Sequence, residues 1–301
     1  RCIQRKIPLG IKMSVSKDEG TGDVSPFAAL TTSLAATIGT GNIIGVGTAL
    51  IAGGPGAIFW MWITGVFGIA TKYSETLIAV KYRVKDHNGN MLGGAMYALQ
   101  RGFKHKTLGK VLGVLFALFA AIASFGIGAA VQANSLSGAI ASVAGDINIA
   151  EMNIDVFGLF YTSPLQIVVG VILVILIAVV IMGGIKVISN VCERLIPAMT
   201  IFYVLSCLVL IVINGQFFID AIVLIVTCAF TPQAAFGGAV GSSVMIALQL
   251  GCARGLFSNE SGLGSSPLVA SSAITRNPAR QALISMTGTF WDTVVVCALT
   301  G

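Results

Sequence analysis

Residues 27–52 form an apolar run that cannot stay one regular helix. The run is long enough to cross a bilayer once. Its centre reads Thr37-Ile-Gly-Thr-Gly-Asn-Ile43, and Gly45 and Gly47 follow. Glycines and small polar residues at membrane depth make a poor continuous helix. Backbone that unwinds there is tolerated only where protein buries it or where it lines a wet cavity. The freed N–H and C=O groups then become ligands for ions and small zwitterions. The run is therefore the first candidate binding site.

That reading requires a membrane, and the composition supplies one. The chain has 301 residues, 55% hydrophobic and 10% charged, whereas a soluble domain carries about 25% charged residues. The apolar runs are continuous rather than alternating, so an all-α membrane protein is expected, not a β-barrel. Seven spans are read, near 27–52, 56–80, 108–143, 163–184, 195–213, 236–257 and 280–301. The third is too long for one upright crossing. The stretch 217–230 is short and fits a re-entrant or interfacial helix. The six cysteines form no C-x-x-C pair and read as small buried hydrophobes.

The formal charge of +6 is a topology signal. Arg1, Arg5, Lys6, Lys12 and Lys17 precede the first span. Lys81, Arg83, Lys85, Arg101, Lys104, Lys106 and Lys110 follow the second. Lys186 and Arg194, then Arg276 and Arg280, occupy the later connections of the same side. The other side holds Asp146, Glu151, Asp155 and Asp220, with no Lys or Arg. By the positive-inside rule the basic side is cytoplasmic, so residues 1–26 are expected there and the protein in the inner (plasma) membrane. No nucleic-acid partner is implied. The chain ends at Gly301 within an apolar run, so an internal piece of a longer protein is expected.

The sixth span repeats the pattern of the first. Gly237-Gly-Ala-Val-Gly-Ser-Ser243 leads into a segment interrupted by Gly251 and Gly255, with Gln249 near its middle. Two glycine-broken spans at corresponding places of inverted halves point to a transporter's midplane site. The alternative is that the glycines only allow close helix packing. Residues 27–213 are read as a first five-helix repeat and 214–301 as the start of a second.

Several stretches closely resemble the sodium:alanine/glycine symporter family. They are Ser25-Pro-Phe-Ala-Ala-Leu-Thr-Thr32, Thr37-Ile-Gly-Thr-Gly-Asn-Ile-Ile-Gly-Val46 and Gly53-Gly-Pro-Gly-Ala-Ile-Phe-Trp-Met-Trp62. Gly68-Ile-Ala-Thr-Lys-Tyr-Ser-Glu75, Gly251-Cys-Ala-Arg-Gly-Leu-Phe-Ser-Asn-Glu260 and Asp292-Thr293 belong to the same likeness. The resemblance implies a LeuT-type inverted-repeat bundle, here truncated to about core helices 1–7, with core helices 1 and 6 unwound. It implies sodium-coupled uptake of alanine or glycine, with no other cofactor. One departure stands out: Gly126-Ile-Gly-Ala-Ala-Val-Gln132 carries Ala129 where the family usually has Asn.

An amino-acid carboxylate needs N–H donors, which the unwound backbone near Thr37, Gly39, Thr40, Gly41 and Asn42 offers. Asn42 can accept from the ammonium or donate to the carboxylate. Gln132, Gln249 and Gly251 complete the candidate substrate set. By analogy with the fold, the carbonyls of Ala35 and Ile38 would hold half a sodium site. Arg254, Glu260 and Asp292 are gating or coupling candidates, because charges in spans are costly. Lys72 and Glu75, three apart on one helix, read as an ion pair.

Enzymatic chemistry is disfavoured, since His87 and His105 both fall in the basic connection. Two readings remain beside sodium symport. One is proton coupling through Asp292, Glu75 or Glu260; the other is a passive channel, which would need a polar pore stripe.

Overall fold

The computed structural model describes residues 2–143, 154–156, 160–162, 164–230 and 244–301. Asp146, Glu151 and the glycine run 237–243 lie outside the described residues. The chain is helical nearly throughout. In order the helices are α1 (Ile7–Ser14), α2 (Pro26–Thr37), α3 (Val46–Gly53), α4 (Gly56–Lys81), α5 (Ala95–Gly102), α6 (Lys106–Ala123) and α7 (Ala129–Val143). There follow α8 (Pro164–Met182), α9 (Gly184–Ile213), α10 (Phe218–Phe230), α11 (Val244–Asn259), α12 (Ser266–Ala270), α13 (Pro278–Thr289) and α14 (Ala298–Thr300). Two small hairpins pair β1 (Val84–Lys85) with β2 (Met91–Leu92), and β3 (Ile154–Val156) with β4 (Phe160–Thr162).

Two compact units divide the chain: Arg1–Phe116 with Ser189–Gly301, and Ala117–Ile188. The second unit holds the end of α6, a widened π turn at Ser124–Gly128, α7, the β3–β4 hairpin and α8. Its helices expose apolar side chains such as Phe119 at 62% and Val174 at 68%. Apolar surface on that scale belongs against lipid.

In the first unit α4 is the central pillar. Its 26 residues span about 39 Å. Ala57, Ile58 and Met61 form a buried cluster with Val46, Ala49, Ile225 and Cys297. Lower on the same helix, Ile69 packs with Leu283 and Met286 of α13. The Trp60 indole donates to the Ala229 carbonyl at 3.2 Å and fixes the end of α10 against it. Local chemistry starts the flanking helices cleanly. Ser25 Oγ accepts from the Ala28 N–H ahead of Pro26, and Asn277 Oδ1 accepts from the Ala279 N–H ahead of Pro278.

Four described helical stretches are long and apolar enough to span a membrane: 106–143, 164–182, 184–213 and 278–300. The pair Pro26–Thr37 and Gly41–Gly53, bent by 52°, makes a fifth if counted as one span. The expected second span exists as α4, but charged Lys72 and Glu75 lower its apolar character. The expected sixth survives as the 16-residue α11, its start outside the described residues.

Candidate functional site

The break in the first span begins where α2 ends at Thr37. Ile38 is extended, with φ −76° and ψ 108°, and its N–H donates to the Leu34 carbonyl at 2.7 Å. The chain resumes through a π turn at Gly41–Gly45 before α3. Asn42 closes the gap. Its Oδ1 accepts from the Gly39 N–H at 2.8 Å, and its backbone N–H donates to the Gly39 carbonyl at 3.1 Å. A side chain thus supplies a hydrogen bond that the broken helix cannot.

The other end of that amide enters a buried polar cluster. Asn42 Nδ2 lies 2.7 Å from Asp292 Oδ1 and 3.0 Å from Ser258 Oγ. Ser258 Oγ donates to Asp292 Oδ2 at 2.9 Å, and Thr293 Oγ1 donates to the same oxygen at 2.8 Å. Cys297 Sγ approaches Asn42 Nδ2 at 3.2 Å and Ser258 Oγ at 3.3 Å. Asn42 and Asp292 are fully buried and Ser258 nearly so. Asp292 and Cys297 sit on a π segment, Phe290–Cys297, that widens the last helix after α13. Such widened turns are frequent at functional sites. Three irregular places therefore meet: the break after α2, the end of α11, and this π segment.

The remaining predicted residues fall in different places. Gly39, Thr40 and Gly41 are half-buried at the break, with van der Waals room beside Gly41, where an added Cβ would sit 3.8 Å from Phe257. Thr37 is buried, and its hydroxyl is turned to the Leu34 carbonyl of its own helix at 3.3 Å. Ala35 and Ile38 pack beside the Leu30, Leu34, Ile196 and Ile284 cluster. The Arg254 stem lies against the broken span, its Cδ 3.9 Å from a Cβ built at Gly45.

Several expectations change. α11 runs unbroken through Gly251 and Gly255. A Cβ at Gly251 would collide with the Ala57 carbonyl, and one at Gly255 would lie 3.1 Å from Thr64. These glycines let α11 pack onto α4; they do not unwind it. Gln249 is exposed on α11, away from the Asn42 cluster, and Gln132 is exposed on α7 in the second unit. The Lys72–Glu75 ion pair is replaced by another contact. The buried Lys72 ammonium donates to the Glu260 carbonyl at 3.4 Å. Glu260 takes φ +52°, which turns the chain out of α11, and its carboxylate accepts from Ser265 Oγ.

Ser258, Thr293, Asn259 and Cys297 were not anticipated as a cluster. Asn259 Nδ2 donates to Thr293 Oγ1 at 3.1 Å and extends the network. The available signal was the run of polar residues ending an apolar helix at Ser258-Asn259.

Several helices long and apolar enough to span a membrane, one of them broken at its middle, mark a multi-pass membrane protein. The chain belongs to the sodium:alanine symporter family, which it matches over residues 1–301. It is 51% identical over 299 residues to an uncharacterized transporter of Haemophilus influenzae, covering 99% of this chain and 61% of that one. It is 48% identical over 298 residues to the sodium/alanine symporter AgcS of Methanococcus maripaludis, covering 98% and 61%. Identity to the probable sodium/glutamine symporter GlnT of Bacillus subtilis is 37% over 278 residues, covering 92% and 52%. The chain spans about three-fifths or less of the length of these relatives.

Proposed function

We propose that this chain belongs to a secondary transporter that carries a small neutral amino acid, alanine or glycine, into the cell together with sodium by alternating access. The observation that carries the reading is the junction of Asn42, Ser258 and Asp292 at the break of the first span. The half-buried backbone of Gly39, Thr40 and Gly41 beside it supplies the candidate binding surface for the substrate carboxylate. Sodium is a hard cation and takes oxygen ligands. The Asp292 carboxylate and the Ser258 and Thr293 hydroxyls fit that requirement, as do the carbonyls of Ala35 and Ile38. Asn42 then has a positioning role: it ties the substrate-facing backbone to Asp292, so occupancy on one side is felt on the other.

Membership of the family and the AgcS name support sodium and alanine; the GlnT name attaches glutamine, with its larger side chain, to another relative. The basic face, with residues 1–26, lies in the cytoplasm and the protein in the plasma membrane on this reading. The test is uptake of labelled alanine at fixed pH, with sodium replaced by potassium. Uptake should fall to background without sodium and saturate with alanine in its presence. Sodium-independent uptake that follows a pH gradient would transfer the coupling role to a proton; a non-saturating flux would indicate a channel.

A further inference from the structure

Arg83 lies two residues beyond the end of α4, and its guanidinium joins two distant loops. Nη1 donates to the carbonyl oxygens of Ser271 at 2.9 Å and Ala273 at 2.7 Å. Nη2 donates to those of Thr21 at 2.7 Å and Thr275 at 2.9 Å. One planar fork therefore collects four backbone carbonyls, a task that a lysine, with three donors on one nitrogen, cannot copy. Backbone pairing runs alongside. The Asp23 N–H donates to Ser272 O at 2.7 Å and the Ile274 N–H to Val24 O at 2.8 Å. A Cβ at Gly22 would run into the Ile274 backbone, so close approach of the two strands depends on glycine. Asp23 Oδ2 accepts from the Met91 N–H at 2.8 Å and brings in the β1–β2 hairpin.

Both tied loops lead directly into helices of the site. Val24 is followed by Ser25, the cap of α2, which ends at the break. Thr275 Oγ1 accepts from the N–H of Asn277, the cap of α13, which continues into the π segment carrying Asp292. α2 and α13 also touch, through Leu30, Leu34 and Ile284.

We infer that Arg83 is a positioning residue for transport: its fork holds the segment entering α2 against the segment entering α13, so α2, which ends at the break before Asn42, and α13, which leads to Asp292, stay together until the guanidinium lets go. The inference rests on the transporter reading. Both loops belong to the basic face, so release of Arg83 is a step in opening that face.

Hydrogen exchange on the full-length protein in nanodiscs, paired with alanine uptake, tests this. The variants are Arg83→Gln, Arg83→Lys and Gly22→Val, the last opening the same junction by bulk without touching the arginine. In all three, the Asp23 and Ile274 amides should exchange about tenfold faster, because their bonds cross the junction. Faster exchange should extend into residues 28–36 of α2, and the maximal uptake rate should fall several-fold. Faster exchange confined to residues 21–24 and 272–275, with uptake unchanged, would make Arg83 a local brace and overturn the inference. Unaltered behaviour of Arg83→Lys would also overturn it, because charge rather than the fork would then suffice. Failure of the transporter reading shows separately, as a non-saturating alanine flux through the unsubstituted protein, and leaves the exchange result to judge the junction.

Discussion

Asn42 replaces, with one side chain, hydrogen bonding that a continuous helix would have made through its backbone. Its Oδ1 serves Gly39, and its Nδ2 serves Asp292 and Ser258. Asn42→Ala would leave the Gly39 N–H short of an acceptor and Asp292 short of a donor. The buried Asp292 Oδ1 left without its Asn42 donor costs roughly 1–3 kcal/mol. The variant should insert in the membrane, lose alanine uptake and melt at a lower temperature than the unsubstituted protein. Uptake at the normal rate would remove Asn42 from the site. Asn42 and Asp292 were legible in the sequence, because a polar side chain inside an apolar run needs a reason to be there. Ser258 and Cys297 were not. A serine or cysteine in a membrane helix is ordinary, and only their convergence on one carboxylate separates them from packing residues.

At the scale of elements, similar glycine patterns do opposite things. Around Gly39 and Gly41 the helix breaks, whereas Gly251 and Gly255 lie in a continuous helix pressed onto α4. The difference comes from the partner. α11 has the Ala57 carbonyl and Thr64 at contact distance and gains by staying regular, while the break after α2 is closed by Asn42. Matched substitutions should separate the two roles. Gly251→Leu should drive α11 off α4 and give aggregated or degraded protein in fluorescence-detected size exclusion. Gly41→Leu has room for its Cβ, so it should elute normally and yet fail to take up alanine. Equal elution profiles for the two would remove the distinction.

Across the whole molecule, the basic connections assigned to one face are joined by specific contacts. Arg280 pairs with Asp18 at 3.3 Å and donates to Ser16 Oγ at 2.8 Å. The segment before the first span is no loose tail: α1 packs along α13, with Gly10 against the Leu283 carbonyl. Cys2, exposed and next to α1, reports which side this face occupies. A membrane-impermeant maleimide should label Cys2 in inside-out vesicles and leave it unlabelled in intact cells. Labelling in intact cells would reverse the orientation.

The sequence by itself determined the class: continuous apolar runs, one-sided basic charge and a glycine break flanked by Asn42 are local patterns, readable because lipid tolerates few backbone solutions. Only the tertiary structure decided which glycines break a helix and which let helices touch. It also decided that Lys72 reaches the Glu260 carbonyl rather than Glu75, and that Arg83 binds four carbonyls rather than merely marking a basic loop. Those outcomes depend on segments some 190 residues apart in the chain, as between Arg83 and Thr275. The physical reason is that a buried polar group must find its partner wherever the fold brings one, and sequence spacing carries no record of that meeting.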